Sequence, residues 1–409
     1  QSSATKIGIS KNKEIYVPLN QILPLANPND IVLGGWDISS TNLADAMRRA
    51  EVLEYDLQTK CAPYMKNIVP LPGVYYEDFI AANQKDRADN VLPGKDKKAH
   101  LEAIREHIRN FKKDNQVDKV IIMWTANTER YCKVTTGVHD TAANLLKAIE
   151  ESHPEISPSI IYATASVLEG CSFINGSPQN TLVDGLIELA SKNNVFVVGD
   201  DFKTGQTKLK TALVDVLVGA GLKPISIVSY NHLGNNDGKN LSSESQFKSK
   251  QISKSSCVDD ILASNPTLYK EGEHPDHEII IKYVPSAGDS KKALDEYVSE
   301  IFLGGRQVWN IYNVCEDSLL AVPIILDLIL LTELAERIEW KDQDDKEFHK
   351  FDVVLSLLGY LCKAPRTRED VPVINSLFRQ RNAIENLFKI CAGIPIEDNL
   401  LLEFRKPYL

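Results

Sequence analysis

Short hydrogen-bonding side chains crowd the stretch "SYNHLGNNDGKNL", residues 229–241, directly after the apolar run "KPISIV". A turn needs one or two such residues. Here Asn235, Asn236 and Asp237 follow one another. Amides and carboxylates at that density can meet several hydroxyls at once, as a polyol or a nucleotide requires. A few residues on, "FKSKQISKSS" (247–256) sets Lys248, Lys250 and Lys254 among serines. On a helix Lys250 and Lys254 share a face at i, i+4. Taken alone, such lysines are a solvated surface, because like charges repel. Desolvated, they would bind a phosphate and a developing oxyanion and exchange protons. "KTGQTKLK" (203–210) leads from a strand into a helix. Gly205 allows close backbone approach, free N–H groups at the helix start can cradle an anion, and Lys203, Lys208 and Lys210 add charge. As an isolated match it reads more simply as a capped helix start.

The elements that would carry these residues alternate. Strands are expected in "DIVLGGWD" (30–37), "VDKVIIMWTA" (117–126), "SIIYATASV" (159–167), "VFVVGDD" (195–201) and "PISIVSY" (224–230). Helices are expected in 41–58 with Thr41 or Ser40 as cap, in 100–114, 181–194 and 206–219. This rhythm predicts an α/β fold with a doubly wound parallel sheet. After about residue 240 the pattern shifts: "HEIIIKYVP" and "QVWNIYNVCE" flank an expected helix, "KKALDEYVSEIFLGG", which suggests a second, α+β unit. From 318 onward the chain reads as mostly helical, with a solvated charged loop at 339–350.

In open α/β sheets ligands bind beyond the carboxyl ends of the strands. Polar residues collect there: Asp37; Thr125, Asn127 and Thr128; Asp200 and Asp201; Asn235 to Asp237; Glu316, Asp317 and Ser318. Together these ends suggest one pocket lined by hydrogen-bonding side chains. Asp37 reads equally as the acceptor for an adenosine ribose and as a helix N-cap, since no GxGxxG accompanies it. His274 and His277 lack a third ligand at metal spacing and read as surface, so no metal is expected.

A chain of 409 residues argues for more than one structural unit. Its net charge of −10 argues against a general nucleic-acid or anionic-membrane binder. Seven scattered cysteines without a CxxC pair suggest free thiols in a reducing compartment. The apolar stretch 319–338 contains Pro323, Asp327 and Glu333, and reads as a buried helix rather than a membrane span. The start at Gln1, in a polar stretch, is what a fragment or processed product would show.

Read together, "GGWDIS", "FIAANQ", "WTANTERY", "NGSPQNT", "GDDFKTGQTK", "SYNHLGNNDG", "QFKSKQISKSS", "GDSKKALDEY", "VCEDSLLA" and "KAPRTR" resemble the eukaryotic inositol-3-phosphate synthases, over residues 29 to 380. The family's glycine-rich loop on its first Rossmann strand has no counterpart here. The resemblance implies an isomerase that converts D-glucose 6-phosphate to 1D-myo-inositol 3-phosphate by NAD-dependent oxidation, enolisation, aldol closure and reduction, the first step of inositol biosynthesis. It implies that Asp37, Gln84, Arg87, Thr125, Ala126, Asn127, Thr128, Gly176, Ser177, Asp201, Asn235, Asn236, Asp237, Asp289, Asp317 and Ser318 surround NAD. Thr204, Gly205, Gln206 and Thr207 would bind substrate with Asn235, Lys250, Lys254 and Lys291. Lys250, Lys254, Lys291, Lys363, Asp201 and Asp237 would be catalytic, Lys250 relaying the proton at the C5 oxygen. It implies a Rossmann-like domain at 1–207, a catalytic and tetramerisation domain at 208–320 and a helical return at 321–409. A cytoplasmic homotetramer, with no nucleic-acid or membrane partner, completes the expectation. The residues alone leave two alternatives open: an NAD-dependent sugar-phosphate dehydrogenase or epimerase, and a non-catalytic sugar-phosphate-binding subunit.

Overall fold

Residues 4–10, 13–368 and 370–397 are described by a computed structural model of mixed α/β architecture. Parallel strands Trp36–Asp37 and Leu71–Pro72 form one small sheet. Ile121–Trp124, Ser172–Asn175 and Val197–Val198 form another, in that order. Phe173 packs against helices Lys97–Asp114, Ala142–Glu150, Pro158–Leu168 and Asp184–Asn193. The next residue, Ile174, joins Val198 and Phe196 in a separate core with Ile324, Leu328 and Phe388. Neighbouring residues of one strand thus enter opposite cores, as in a parallel sheet buried on both faces.

Several sequence expectations shift. The run 159–167 is a helix, Pro158–Leu168, not a strand. Ser157 caps it by accepting from Ile160 N–H, and Pro158 holds the first turn. Because nearly every residue in it is buried, it lacks the polar face that marks a helix. The strand expected at 30–37 shrinks to Trp36–Asp37. The helix expected at 41–58 divides into Leu43–Ala50 and Tyr55–Met65, and Asn42, rather than Thr41 or Ser40, caps the first.

A second sheet runs in the order Arg306–Glu316, Ser290–Glu300, Lys223–Leu233, Asp276–Tyr283. The first three are antiparallel and the last pair is parallel. The expected helix at 291–305 is therefore a strand through Glu300. Alternating burial of Lys291, Ala293, Asp295, Tyr297 and Ser299 shows the two-residue period, and pairing on both sides overrides a helix-compatible pattern. The run 224–230 belongs to this sheet and not to the parallel one. Helix Gly205–Gly219 packs Val214, Leu217 and Val218 onto it, against Ile227 and Tyr297. Helix Asp317–Arg337 is long and apolar enough to cross a membrane by length and composition. Here one side of it is in the core while Leu319, Leu320 and Val322 are exposed, so the expectation of a buried helix holds for part of its surface. Between it and helix Leu377–Cys391 the described residues form loops and one short 3-10 turn, Ser356–Leu361, not the helices expected.

Candidate active site

Just past strand Val197–Val198 the chain turns at Asp201, whose φ is +64°. Its carboxylate is buried. Oδ1 accepts from Lys250 Nζ at 2.9 Å and from Lys363 Nζ at 3.3 Å, and Oδ2 accepts from Ser253 Oγ at 2.7 Å. The elements that deliver these donors are distant in sequence. Lys250 and Ser253 lie on the buried side of helix Glu244–Ser255. Gln246 Nε2, donating to Phe79 O, and Ser249 Oγ, donating to Glu129 O, hold that helix in place. Lys363 is set by a backbone ladder: Lys363 N–H donates to Asp201 O, Asp200 N–H to Ala364 O, and Arg366 N–H to Gly199 O.

One carboxylate cannot serve two ammonium groups equally. Burial lowers the pKa of Lys250, but Asp201 and Asp237 outweigh it and hold Lys250 above the ordinary lysine range. Burial lowers Lys363 to about 8, with Asp201 offsetting only part and Lys250 and Lys291 adding repulsion. Burial would raise Asp201, but Lys250 and Lys363 dominate and keep it well below the usual carboxylate range. Asp200, beside it, is pushed up to about 7 by burial, despite Arg366 and a 2.6 Å hydrogen bond from Asn175 Nδ2. Lys291 opens strand Ser290–Glu300 with Nζ 3.6 Å from Asp317 Oδ1. Asp237 is half-buried, and burial raises its pKa against the pull of Lys250.

Lys254, one turn beyond Lys250, is buried with no carboxylate within 4 Å among the described residues. Burial first, then Lys291, Lys363, Lys250 and Lys210, press its pKa well below the ordinary value. Beside it begins helix Gly205–Gly219, whose N-cap Thr204 makes no side-chain cap bond. Gln206 and Thr207 are buried, and both amide atoms of Gln206 lack a hydrogen-bond partner among the described residues. A helix start, unpartnered donors and a buried lysine can together take an anion. The three lysines expected to support that helix start separate. Lys203 Nζ turns away to Asn375 O and Gln380 Oε1 at 3.0 and 3.1 Å, and Lys208 lies over the Tyr360 ring. Only Lys210 reaches the cavity beneath Gln206.

The remaining sequence candidates gather at the same strand ends. Gln84, buried, accepts through Oε1 from Arg87 Nη1 at 3.2 Å, Asn127 Nδ2 at 3.4 Å and Asn236 Nδ2 at 3.1 Å. Asp37 is partly exposed, receives Ser39 N–H, and lies 4.0 Å from Arg87 Nη2. Thr125 and Ala126 are exposed, and Thr128 is buried with its carbonyl accepting from Asn240 Nδ2. Gly176 lies so close to Phe202 that an added Cβ would fall 2.0 Å from that ring. Ser177 Oγ donates to Ala126 O. Asp289 accepts from Ser318 N, Ser318 Oγ and Asn235 Nδ2 at 3.0, 2.7 and 3.0 Å.

Three contributors carry little signal in the sequence. Ser253 is one of many serines in its stretch, and Asp200 reads only as a strand end. Lys210 reads as one of three basic residues with Lys203 and Lys208, although its i+4 spacing from Gln206 puts it on the helix face that Gln206 occupies. His277, expected at the surface, is half-buried with Nε2 3.1 Å from Lys210 Nζ. Among the described residues no group of three or more His, Cys, Asp and Glu is arranged to hold a metal.

Comparison with known proteins bears on this geometry. An NAD-binding family model described as myo-inositol-1-phosphate synthase matches residues 1–389. A Dictyostelium discoideum inositol-3-phosphate synthase is 58% identical over 99% of this chain and 79% of its own length. An Arabidopsis thaliana inositol-3-phosphate synthase isozyme is 56% identical over the same shares. The crystal structure of an inositol-3-phosphate synthase from Caenorhabditis elegans superposes with a TM-score of 0.97 at 52% identity, covering 100% of this chain and 80% of that one.

Proposed function

The chain belongs to the myo-inositol-1-phosphate synthase family, and from that premise we propose that it converts D-glucose 6-phosphate to 1D-myo-inositol 3-phosphate with NAD. The observation that carries the reading is the single buried Asp201 shared by Lys250 and Lys363, beside an unpaired Lys254 and the open helix start at Thr204 to Thr207. A hydride transfer alone needs no such excess of buried cations. Ring closure does, because it develops negative charge at an enolate and then at a new alkoxide.

The residues present fit NAD by the chemistry of their donors. Asp37 ends a parallel strand with a partly exposed carboxylate suited to a ribose diol, and Arg87 Nε is buried without a partner beside it. Gln84, Asn127 and Asn236 supply amides, and Ser177, Asn235, Asp289 and Ser318 line the neighbouring edge. Thr125, Ala126, Thr128 and Gly176 follow the neighbouring parallel strands, Ile121–Trp124 and Ser172–Asn175. NAD supplies the reversible hydride acceptor; the rest is the work of side chains.

On oxidation the C5 hydroxyl proton leaves by way of Lys250, which Asp201 and Asp237 keep as an ammonium: as it takes that proton it passes one of its own across Asp201 to the neutral fraction of Lys363, and the return step reverses the transfer. Lys363, poised at about 8, exchanges protons with little cost near neutrality. Lys291 and Lys254 stabilise the enolate and the phosphate dianion, and Asp237 accepts a substrate hydroxyl. Thr204, Gly205, Gln206 and Thr207 take the phosphate at the helix start. Lys250→Ala tests the assignment. It is expected to bind NAD normally and to lose turnover; undiminished turnover would remove Lys250 from the mechanism.

The proposal extends to a cytoplasmic homotetramer. All seven cysteines are free, which suits a reducing setting. Tyr312, Leu294, Tyr230 and Ile280 lie in register across the second sheet and are all exposed, an apolar row suited to a second copy of the chain.

A further inference from the structure

Beneath the start of helix Gly205–Gly219 lies a cavity of about 10 Å3, room for one water-sized oxygen. Gln206, Thr207, Lys210 and Lys254 line it on the side of the helix start, with Asp295 and Asn231 from the second sheet. Lys210 and Lys254 are both buried, and neither has a carboxylate within 4 Å among the described residues. Among the described residues Asp295 is the one carboxylate lining the space, set against two lysines. Both amide atoms of Gln206 and the Ser229 hydroxyl, also in its wall, are buried without partners among the described residues. Unpaired buried donors of this kind are costly unless something completes them.

Lys210 is held by an unusual neighbour. Its Nζ lies 3.1 Å from His277 Nε2. An ammonium has no lone pair, so it donates and the imidazole accepts, with its proton on Nδ1. Burial, then the charge of Lys210, holds His277 down at about 3, so it stays a neutral acceptor through the physiological range. A carboxylate in that place would consume the charge of Lys210. A neutral imidazole fixes the side chain and leaves the charge directed elsewhere.

We propose that this cavity is an oxygen pocket for the substrate's phosphoryl group, in which Lys210 is a further phosphate-binding residue, aimed by His277 and acting with Lys254, Gln206 and Thr207. One phosphate oxygen enters from the helix start and meets Lys210 from behind. The inference rests on the reading that Thr204 to Thr207 and Lys254 form the phosphate site, and it adds a charge from within the core of the second unit.

Lys210→Met is the test, with Lys210→Gln as a second variant that keeps a hydrogen-bonding terminus. Inorganic phosphate serves as the dianionic probe and glucitol as an uncharged one. Both variants are expected to raise the KM for glucose 6-phosphate at least tenfold and to lose inhibition by phosphate in parallel. Inhibition by glucitol and NAD affinity should stay within twofold. A variant that merely loosened the fold would weaken both probes together, and that result overturns the proposal. Unchanged phosphate inhibition in both variants also overturns it, and Lys254→Met then separates the failures. If Lys254→Met loses phosphate inhibition, only the role of Lys210 fails; if it too is unaffected, the phosphate site itself is misplaced.

Discussion

Lys250 Nζ and Asp201 Oδ1 meet at 2.9 Å in the interior, and Lys363 reaches the same oxygen at 3.3 Å. Asp201→Asn removes the negative charge that two buried lysines share. Breaking a buried pair from one side costs about 3–5 kcal/mol, because the surviving charge is left uncompensated. The variant is expected to unfold at correspondingly lower denaturant concentration and to lose at least a hundredfold in kcat. Retained turnover would show that Lys250 needs no partner to hold its proton.

The position of Lys363 gives a pH dependence with a defined sign. Its folded pKa of about 8 lies below the ordinary 10.5, so between those values the unfolded chain binds more protons than the folded one. The group therefore adds stability as pH rises from about 8 toward 10, and costs stability below that window. Lys363→Met should flatten this part of the stability profile. The kcat of the parent should rise with pH toward a plateau above about 8, a limb absent from Lys363→Met.

Glu129 runs the other way. Its carboxyl is buried, accepts from Ser159 N–H and Ser159 Oγ, and is pushed up to about 7 by burial. Its contribution is complete below the unfolded value near 4.5 and is lost as pH rises through 7. The window corresponds to roughly 3 kcal/mol at about 1.4 kcal/mol per pKa unit. Glu129→Gln should erase that slope in urea titrations at pH 5 and pH 8; an unchanged slope would mean that Glu129 is ionised throughout.

Gln84 joins the loop after strand Ile121–Trp124 to the turn after strand Lys223–Leu233 by accepting from both Asn127 and Asn236. Gln84→Ala leaves those amides unpaired and is expected to weaken NAD binding about tenfold, at a cost of ~1.4 kcal/mol. Fluorescence titration with NADH measures it. Unaltered affinity would remove Gln84 from the cofactor edge.

The exposed row across the second sheet predicts an assembly defect. Leu294→Asp and Tyr312→Asp place carboxylates in the proposed contact and should shift the sedimentation coefficient toward the monomer. A parent that already sediments as a monomer would exclude the contact.

Much of the site was legible because strand ends declare themselves by composition. Asp37, Asp201, Asn235 and Asp317 each follow an apolar run, and the structure brings Asp201 and Asp317 among the same lysines. The strand Ser290–Glu300 was not legible, since Leu294, Tyr297 and Val298 also suit a helical period and only pairing with two neighbours decides. Pro158–Leu168 failed for the opposite reason: total burial removed the polar face that periodicity reads. The division of labour among Lys203, Lys208 and Lys210 was hidden as well. Charge in a sequence has no direction until packing supplies Asn375 for one, Tyr360 for the next and His277 for the third.

The most direct test follows the atoms. The protein is incubated with glucose 6-phosphate and a catalytic amount of NAD, and products and NADH are quantified together by chromatography and absorbance. The account predicts inositol phosphate in large excess over NAD, with no net NADH. NADH accumulating in step with an oxidised sugar phosphate, and no inositol phosphate, would contradict it.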